Sequence, residues 1–103
     1  MTKVINIKDA VIYDVYIGRD HTSREHYGNP FSHNPNWGIE CPSREDSVTK
    51  YSLWLKGRFP DVEPTRRQWI LDHLETLKGK TLGCFCKPQA CHGDILIKLL
   101  RTI

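Results

Sequence analysis

The segment from Cys84 to Gly93 reads Cys-Phe-Cys-Lys-Pro-Gln-Ala-Cys-His-Gly and runs straight into Asp94, gathering three of the chain's four cysteines and one of its five histidines. Thiols, an imidazole and a carboxylate at this density offer three kinds of chemistry. The first is metal binding by Cys84, Cys86, Cys91 and His92, a Cys3His set of the type that takes zinc. On a regular strand Cys84 and Cys86 would face the same side, roughly 6 to 7 Å apart. That is too far for a shared ion with ~2.3 Å zinc–sulfur bonds, so a common metal requires the strand to end or bulge between them. The spacing common in zinc modules, two close pairs a dozen or more residues apart, is absent.

The second chemistry is catalysis at a helix start, where the amino end favours thiolate over thiol and also favours a bound phosphate or carboxylate. Cys91 would then be the nucleophile and His92 a general base or a helix cap. Asp94 would orient the imidazole or simply stabilise the helix end. Adjacency alone does not make Cys91 and His92 face each other. The third reading is structural, with Cys84 and Cys86 as small core residues on a buried strand, Gly93 as a tight turn and Asp94 as a helix-end charge.

These residues must be positioned by the elements around them. Thr81 to Cys86 reads as a short strand, and Gly93 to Arg101 as a closing helix with Asp94 near its amino end and Lys98 and Arg101 toward its carboxyl end. Upstream, Val11-Ile-Tyr-Asp-Val-Tyr-Ile is β-branched and aromatic and stops at Gly18, which predicts the first strand. Arg19 to Cys41 is punctuated by Gly28, Pro30, Pro35 and Gly38 with Asn29, Asn34 and Asn36, a long loop of the kind that often carries function. Ser43 caps a helix running to about Lys56 and stopped by Gly57, with Val48, Tyr51, Trp54 and Leu55 as its buried stripe. A second helix starts near Pro64-Thr65, puts Trp69, Ile70, His73, Leu74 and Leu77 on one side, and ends at Gly79. This order predicts an α/β fold: a small, single-layer, mostly parallel sheet flanked by helices, in a Rossmann-like three-layer or a two-layer arrangement.

At 103 residues the chain has the size of one domain, taken as residues 1–103. Its 39% apolar and 26% charged content is globular, and the net charge of +3 favours anionic ligands only weakly. The first residues lack the pattern of a signal peptide and no apolar run reaches the ~20 residues of a membrane span, so a soluble cytoplasmic protein is expected. In a reducing compartment the cysteines are expected to be thiols, metal ligands or catalytic groups, and no disulfide framework is drawn. His21, His26 and His33 are irregularly spaced and expected to be solvent-exposed, and Cys41 is assigned no role. Lys56, Arg58, Arg66 and Arg67 suggest a basic face for nucleic acid, though solvated helix charge accounts for them more simply.

Four motifs occur in order: Tyr16-Ile-Gly-Arg19, Tyr27-Gly-Asn-Pro-Phe31, Tyr51-x-x-Trp54-Leu55 and Leu82-Gly-Cys-x-Cys-x-Pro-x-x-Cys-His-Gly-Asp94. Together they resemble the small phage and bacterial family catalogued as domain of unknown function 4326, over roughly residues 14 to 100. The resemblance implies a shared site and a phage context, with the host cytoplasm as location, but no activity. It also implies that Gly18-Arg19, the Gly28–Phe31 loop and the Cys91–Asp94 turn converge at the carboxyl edge of the sheet, where open α/β folds bind ligands. Arg19 would meet an anionic group, most plausibly phosphate, and Asn29 would hydrogen-bond a base or sugar. Phe31 or Trp37 would stack on a base or pin the loop to the core, Gly93 would line the site, and Cys91, His92 and Asp94 would supply reactive groups.

Two function classes follow. One is a small enzyme or sensor for a nucleotide-like or nucleoside-like ligand, acting by hydrolysis or group transfer. The other is a non-enzymatic protein that engages a host protein, with the cysteine cluster fixing its fold, with or without zinc. No membrane partner is expected.

Overall fold

The computed structural model describes residues 2–8, 12–20, 25–84 and 91–102. The first strand, β1, is Lys3–Asn6, ahead of the expected position; of the predicted Val11–Ile17 strand Val11 lies outside the described residues, and among the rest Val15–Tyr16 forms β2, with Asp14 and Ile17 N–H bonded to Thr81 O and Gly83 O on either side. Both lie parallel to β5 (Thr81–Cys84), giving the order β1-β5-β2. Lys3 to Asn6 pair with Thr81 to Cys84, and Val15 and Tyr16 with Leu82 and Gly83. Strand propensity marked 11–17 strongly, but a ladder extends only where the two backbones run side by side, and β2 keeps register with β5 at Leu82 and Gly83. Cys84 is the last residue of β5.

Two further two-residue strands, β3 (Phe31–Ser32) and β4 (Ile39–Glu40), pair in parallel inside the long loop. The chain between them turns on Asx and ST geometry: Ser32 Oγ accepts from Asn34 N–H at 3.0 Å, and Asn34 Oδ1 from Asn36 N–H at 3.0 Å.

Helix α1 (Arg44–Leu55) begins as expected, with Ser43 Oγ accepting Asp46 N–H at 3.0 Å, and stops at Gly57, whose φ of 88° a side chain would resist. Its buried positions are Ser47, Tyr51, Trp54 and Leu55, while Val48 is half-buried. Helix α2 (Pro64–His73) passes into a 3-10 turn over Leu74–Leu77. The tighter winding brings Leu74 and Leu77, three apart, inward together and leaves His73 exposed, against the helical stripe that included it. His73 instead stacks on half-buried Trp69 at 4.6 Å.

Helix α3 (His92–Leu100) is capped by Cys91 rather than beginning at Gly93. It packs on β1, α1 packs on α3 and on β3, and α2 packs on α1. The core runs through this stack, from Ile17 and Leu82 through Leu96 to Tyr51, Trp54 and Ile70, all fully buried. Gly93 sets how closely α3 approaches the sheet, since a Cβ there would come within 2.7 Å of Ile17 Cδ1 and 2.9 Å of Val4 Cγ2.

Candidate functional site

Every backbone carbonyl from His26 to Phe31 accepts a hydrogen bond from another part of the chain. Arg66 Nη1 donates to His26 O at 3.1 Å and to Gly28 O at 2.6 Å. Tyr51 Oη donates to Tyr27 O at 2.7 Å, and Ile39 N–H to Pro30 O at 2.8 Å. Arg19 takes the remaining two, with Nε donating to Asn29 O at 3.0 Å and Nη2 to Phe31 O at 2.8 Å. A loop with buried residues 27–32 needs partners of this kind, because a dry backbone carbonyl without one costs as much as a lost hydrogen bond.

The Asn29 side chain, 4% exposed, completes the arrangement: Oδ1 accepts Phe31 N–H at 2.9 Å and Nδ2 donates to Ser47 O at 2.8 Å. Phe31 is buried with its ring 5.0 Å from that of Phe59, so it pins the loop to the core; Trp37 is 53% exposed.

This loop, the end of β2, the start of α1 and the start of α3 enclose a cavity of about 50 Å³ lined by Arg19, Asn29, Ser32, His33, Arg44, Ser47, Val48 and His92. The lining contains two arginines and no carboxylate. Among the described residues no hydrogen bond or ion pair engages the Arg44 guanidinium, whose α-carbon occupies the first turn of α1. Ser47 Oγ turns back onto Arg44 O at 2.8 Å. Sequence reasoning brought Arg19, Asn29 and His92 here and missed Arg44, Ser32 and Ser47. The one signal for Arg44 was its place directly after the Ser43 cap.

His92 is fully enclosed, with Nε2 2.6 Å from Ile17 O and its ring edge-on to Tyr51 at 5.1 Å. A carbonyl partner requires the proton on Nε2, which leaves Nδ1 unprotonated on the side of Cys91 Sγ, 3.9 Å away. Burial pushes the His92 pKa down, as do the Arg19 and Arg66 charges, against the Ile17 carbonyl, which favours the cation. The neutral ring is therefore the folded form.

Cys91 Sγ accepts Gly93 N–H at 3.3 Å as the α3 cap and lies 3.1 Å from Cys84 Sγ. Both cysteines are buried, at 0% and 1% exposure, and neither borders the cavity. Gly93 and half-buried Asp94 also lie outside the lining. Of the expected zinc set, Cys84, Cys91 and His92 are thus neighbours, while Cys86 lies outside the described residues. Among the described residues no group of three or more metal-ligating side chains is arranged to hold an ion.

The arginines of α2 are the clearest departure from expectation. Arg66 is 4% exposed and also chelates Glu63, with Nε to Oε1 at 2.8 Å and Nη2 to Oε2 at 3.1 Å, while its guanidinium lies 5.0 Å from the Trp54 ring centroid. Arg67 Nε and Nη2 cap the carboxyl end of α1 at Leu55 O, 3.1 and 2.9 Å. Neither is solvated charge, and neither belongs to a basic face. His26, expected to be exposed, is half-buried and its Nδ1 accepts Gly28 N–H at 3.1 Å; His33 is exposed as expected, and His21 lies outside the described residues. Cys41 is buried, and burial first, then Asp46, raises its pKa.

Fold and site define a small α/β protein with a cationic cavity at the carboxyl edge of a parallel sheet. Over residues 5–102 the chain matches the model of Domain of unknown function (DUF4326), and it belongs to that family. It is similar to the "Uncharacterized 12.4 kDa protein in nrdA-td intergenic region" of Enterobacteria phage T4, 35% identical over 66 residues. The match covers 64% of this chain and 56% of that protein, so the chain spans little more than half the length of the curated relative. No solved structure matches. No helix among the described residues is long and apolar enough to cross a membrane.

Proposed function

We propose that the protein binds a nucleotide-like ligand by its phosphate, held in the cavity between Arg19, Arg44 and His92. The observation that carries this reading is the lining itself, two guanidinium groups with the Ser32 hydroxyl and the His33 imidazole beside them and no acid. A volume of about 50 Å³ suits a single phosphate group; a whole nucleotide needs a pocket on the order of 300 Å³ or more. The sugar and base would therefore lie outside, toward the loop bearing exposed Trp37. A wider groove of about 600 Å³ is lined by Pro64, Thr65 and Trp69 with Glu25, Glu63 and Arg66; the Arg66 guanidinium is already bonded to Glu63 and to the His26 and Gly28 carbonyls, so this groove suits phosphate less well.

Arg19 supplies charge while holding the loop, and Arg44 is the arginine with donors to offer. Turnover by Cys91 and Asp94 gains no support, because both lie outside the cavity lining. The reading is therefore of binding, with His92 as a neutral positioning group. Isothermal titration with inorganic phosphate, a nucleoside monophosphate and the matching nucleoside tests it. The two phosphates should compete for one site, the nucleoside should not bind, and Arg44→Gln should weaken phosphate about tenfold or more, the value of one charge-assisted hydrogen bond. Equal binding of the nucleoside, or an indifferent Arg44→Gln, would sink the idea.

A second reading, interaction with a host protein, is favoured by Trp37 and Ile39, 53% and 48% exposed on one short segment. Cross-linking at Trp37 to a partner, undisturbed by phosphate, would support it over the first.

A further inference from the structure

We propose that Cys84 and Cys91 are a modification site: a dithiol that a small hydroperoxide converts to a reversible disulfide. The two sulfurs, present as thiols, are 3.1 Å apart. A disulfide bond is ~2.05 Å long, so a small side-chain rotation closes the gap. Two thiolates on one tetrahedral zinc would sit farther apart, near ~3.8 Å given ~2.3 Å bonds.

The two cysteines have unequal surroundings, and that assigns their roles. Cys91 Sγ receives the Gly93 N–H at the amino end of the nine-residue helix α3 and has the unprotonated Nδ1 of His92 at 3.9 Å. Cys91 is thus the sulfur with an N–H donor and a base beside it, and it takes the attacking role. Cys84, at the last position of β5, is the resolving thiol.

In the first step the Cys91 sulfur attacks a peroxide oxygen. The S–O bond forms as the O–O bond breaks, and the leaving alkoxide or hydroxide takes the Cys91 proton. In the second, Cys84 sulfur attacks the Cys91 sulfenic acid; the S–S bond forms, the S–O bond breaks, and hydroxide leaves as water with the Cys84 proton. Two thiols and one hydroperoxide thus give one disulfide, one water and one alcohol, or two waters from hydrogen peroxide. The 0% and 1% exposure of the pair excludes bulky oxidants and leaves small ones.

The test exposes the reduced full-length chain to hydrogen peroxide, alkylates the remaining thiols, and maps the products. Chymotryptic cleavage after Phe85 separates Cys84 from Cys86 and Cys91, and fragment spectra tell which of the last two is alkylated. The expected product has lost two hydrogen atoms, joins Cys84 to Cys91, leaves Cys86 and Cys41 alkylated, and reverts with dithiothreitol. Cys84→Ser should stop at a Cys91 sulfenic acid, trapped by dimedone when the oxidised chain is unfolded in denaturant; if that variant does not fold, the wild-type map still decides. A cross-link through Cys86, over-oxidation of Cys91 without a cross-link, or about one zinc per purified chain lost on Cys84 or Cys91 substitution would each overturn the proposal.

Discussion

In the loop from His26 to Phe31 each carbonyl is held by a donor from outside the loop, and the Asn29 side chain closes two more bonds. At the start of α3 the polar groups are fewer and softer: one imidazole bonded to Ile17 O, two sulfurs in contact, and a cavity whose other wall is Arg44. Both regions are buried and both come from short polar motifs. The loop uses its polar groups to stay folded, whereas the α3 corner holds a neutral buried imidazole, two thiols and a cavity arginine. A substitution in the first should be read in stability alone, and one in the second in its dependence on pH or ligand.

The sharpest way to break this contrast is at Arg66. Arg66→Ala strips the His26 and Gly28 carbonyls of their donor and removes the cover over Trp54, and should cost about 3 kcal/mol in urea unfolding. A loss below about 1 kcal/mol would mean water replaces the guanidinium and the loop is not held as described. Asn29→Ala should follow at about 2 kcal/mol, because a buried N–H and a buried carbonyl lose partners together.

The third experiment crosses into the α3 corner. The folded protein holds His92 neutral below the ordinary imidazole value of 6.5, whereas the unfolded chain takes up a proton there. Stability contributed by His92 is therefore full above pH 6.5 and falls as pH drops from about 7 toward 5. Glu63, its carboxyl lowered chiefly by the hydrogen bonds from Arg66, loses its contribution only at more acidic pH. His92→Gln should flatten the stability profile between pH 7 and 5; an unchanged slope would place the titrating group elsewhere. The smallest effect on stability is expected from Arg44→Gln, within about 0.5 kcal/mol. Its loss of phosphate affinity is what separates a binding arginine from the structural ones.

Legibility in the sequence differed by element for physical reasons. The α1 cap at Ser43, its stop at Gly57 and the buried Tyr51, Trp54 and Leu55 follow from local chemistry that a few consecutive residues decide. The parallel arrangement was legible in the alternation of strands and helices. Strand β1 was missed because four residues of modest pattern become a strand only when β5 lies beside them, and the reach of β2 was overestimated for the same reason. Arg66 and Arg67 looked like solvated helix charge because nothing in Pro-Thr-Arg-Arg indicates which carbonyls lie within reach.

From its sequence alone this protein is a small α/β chain of the DUF4326 family whose chemistry-bearing residues gather in a loop and at a helix start. Only the tertiary structure decided which of them hold the fold and which remain able to act. Arg19 and Asn29 turned inward to backbone groups, Arg44 was left facing the cavity, and Cys84 met Cys91 across the end of β5. Residue type sets what a side chain can bond to, but the partner it meets is set by packing between segments distant in sequence, and a buried polar group takes whichever partner the fold brings to it.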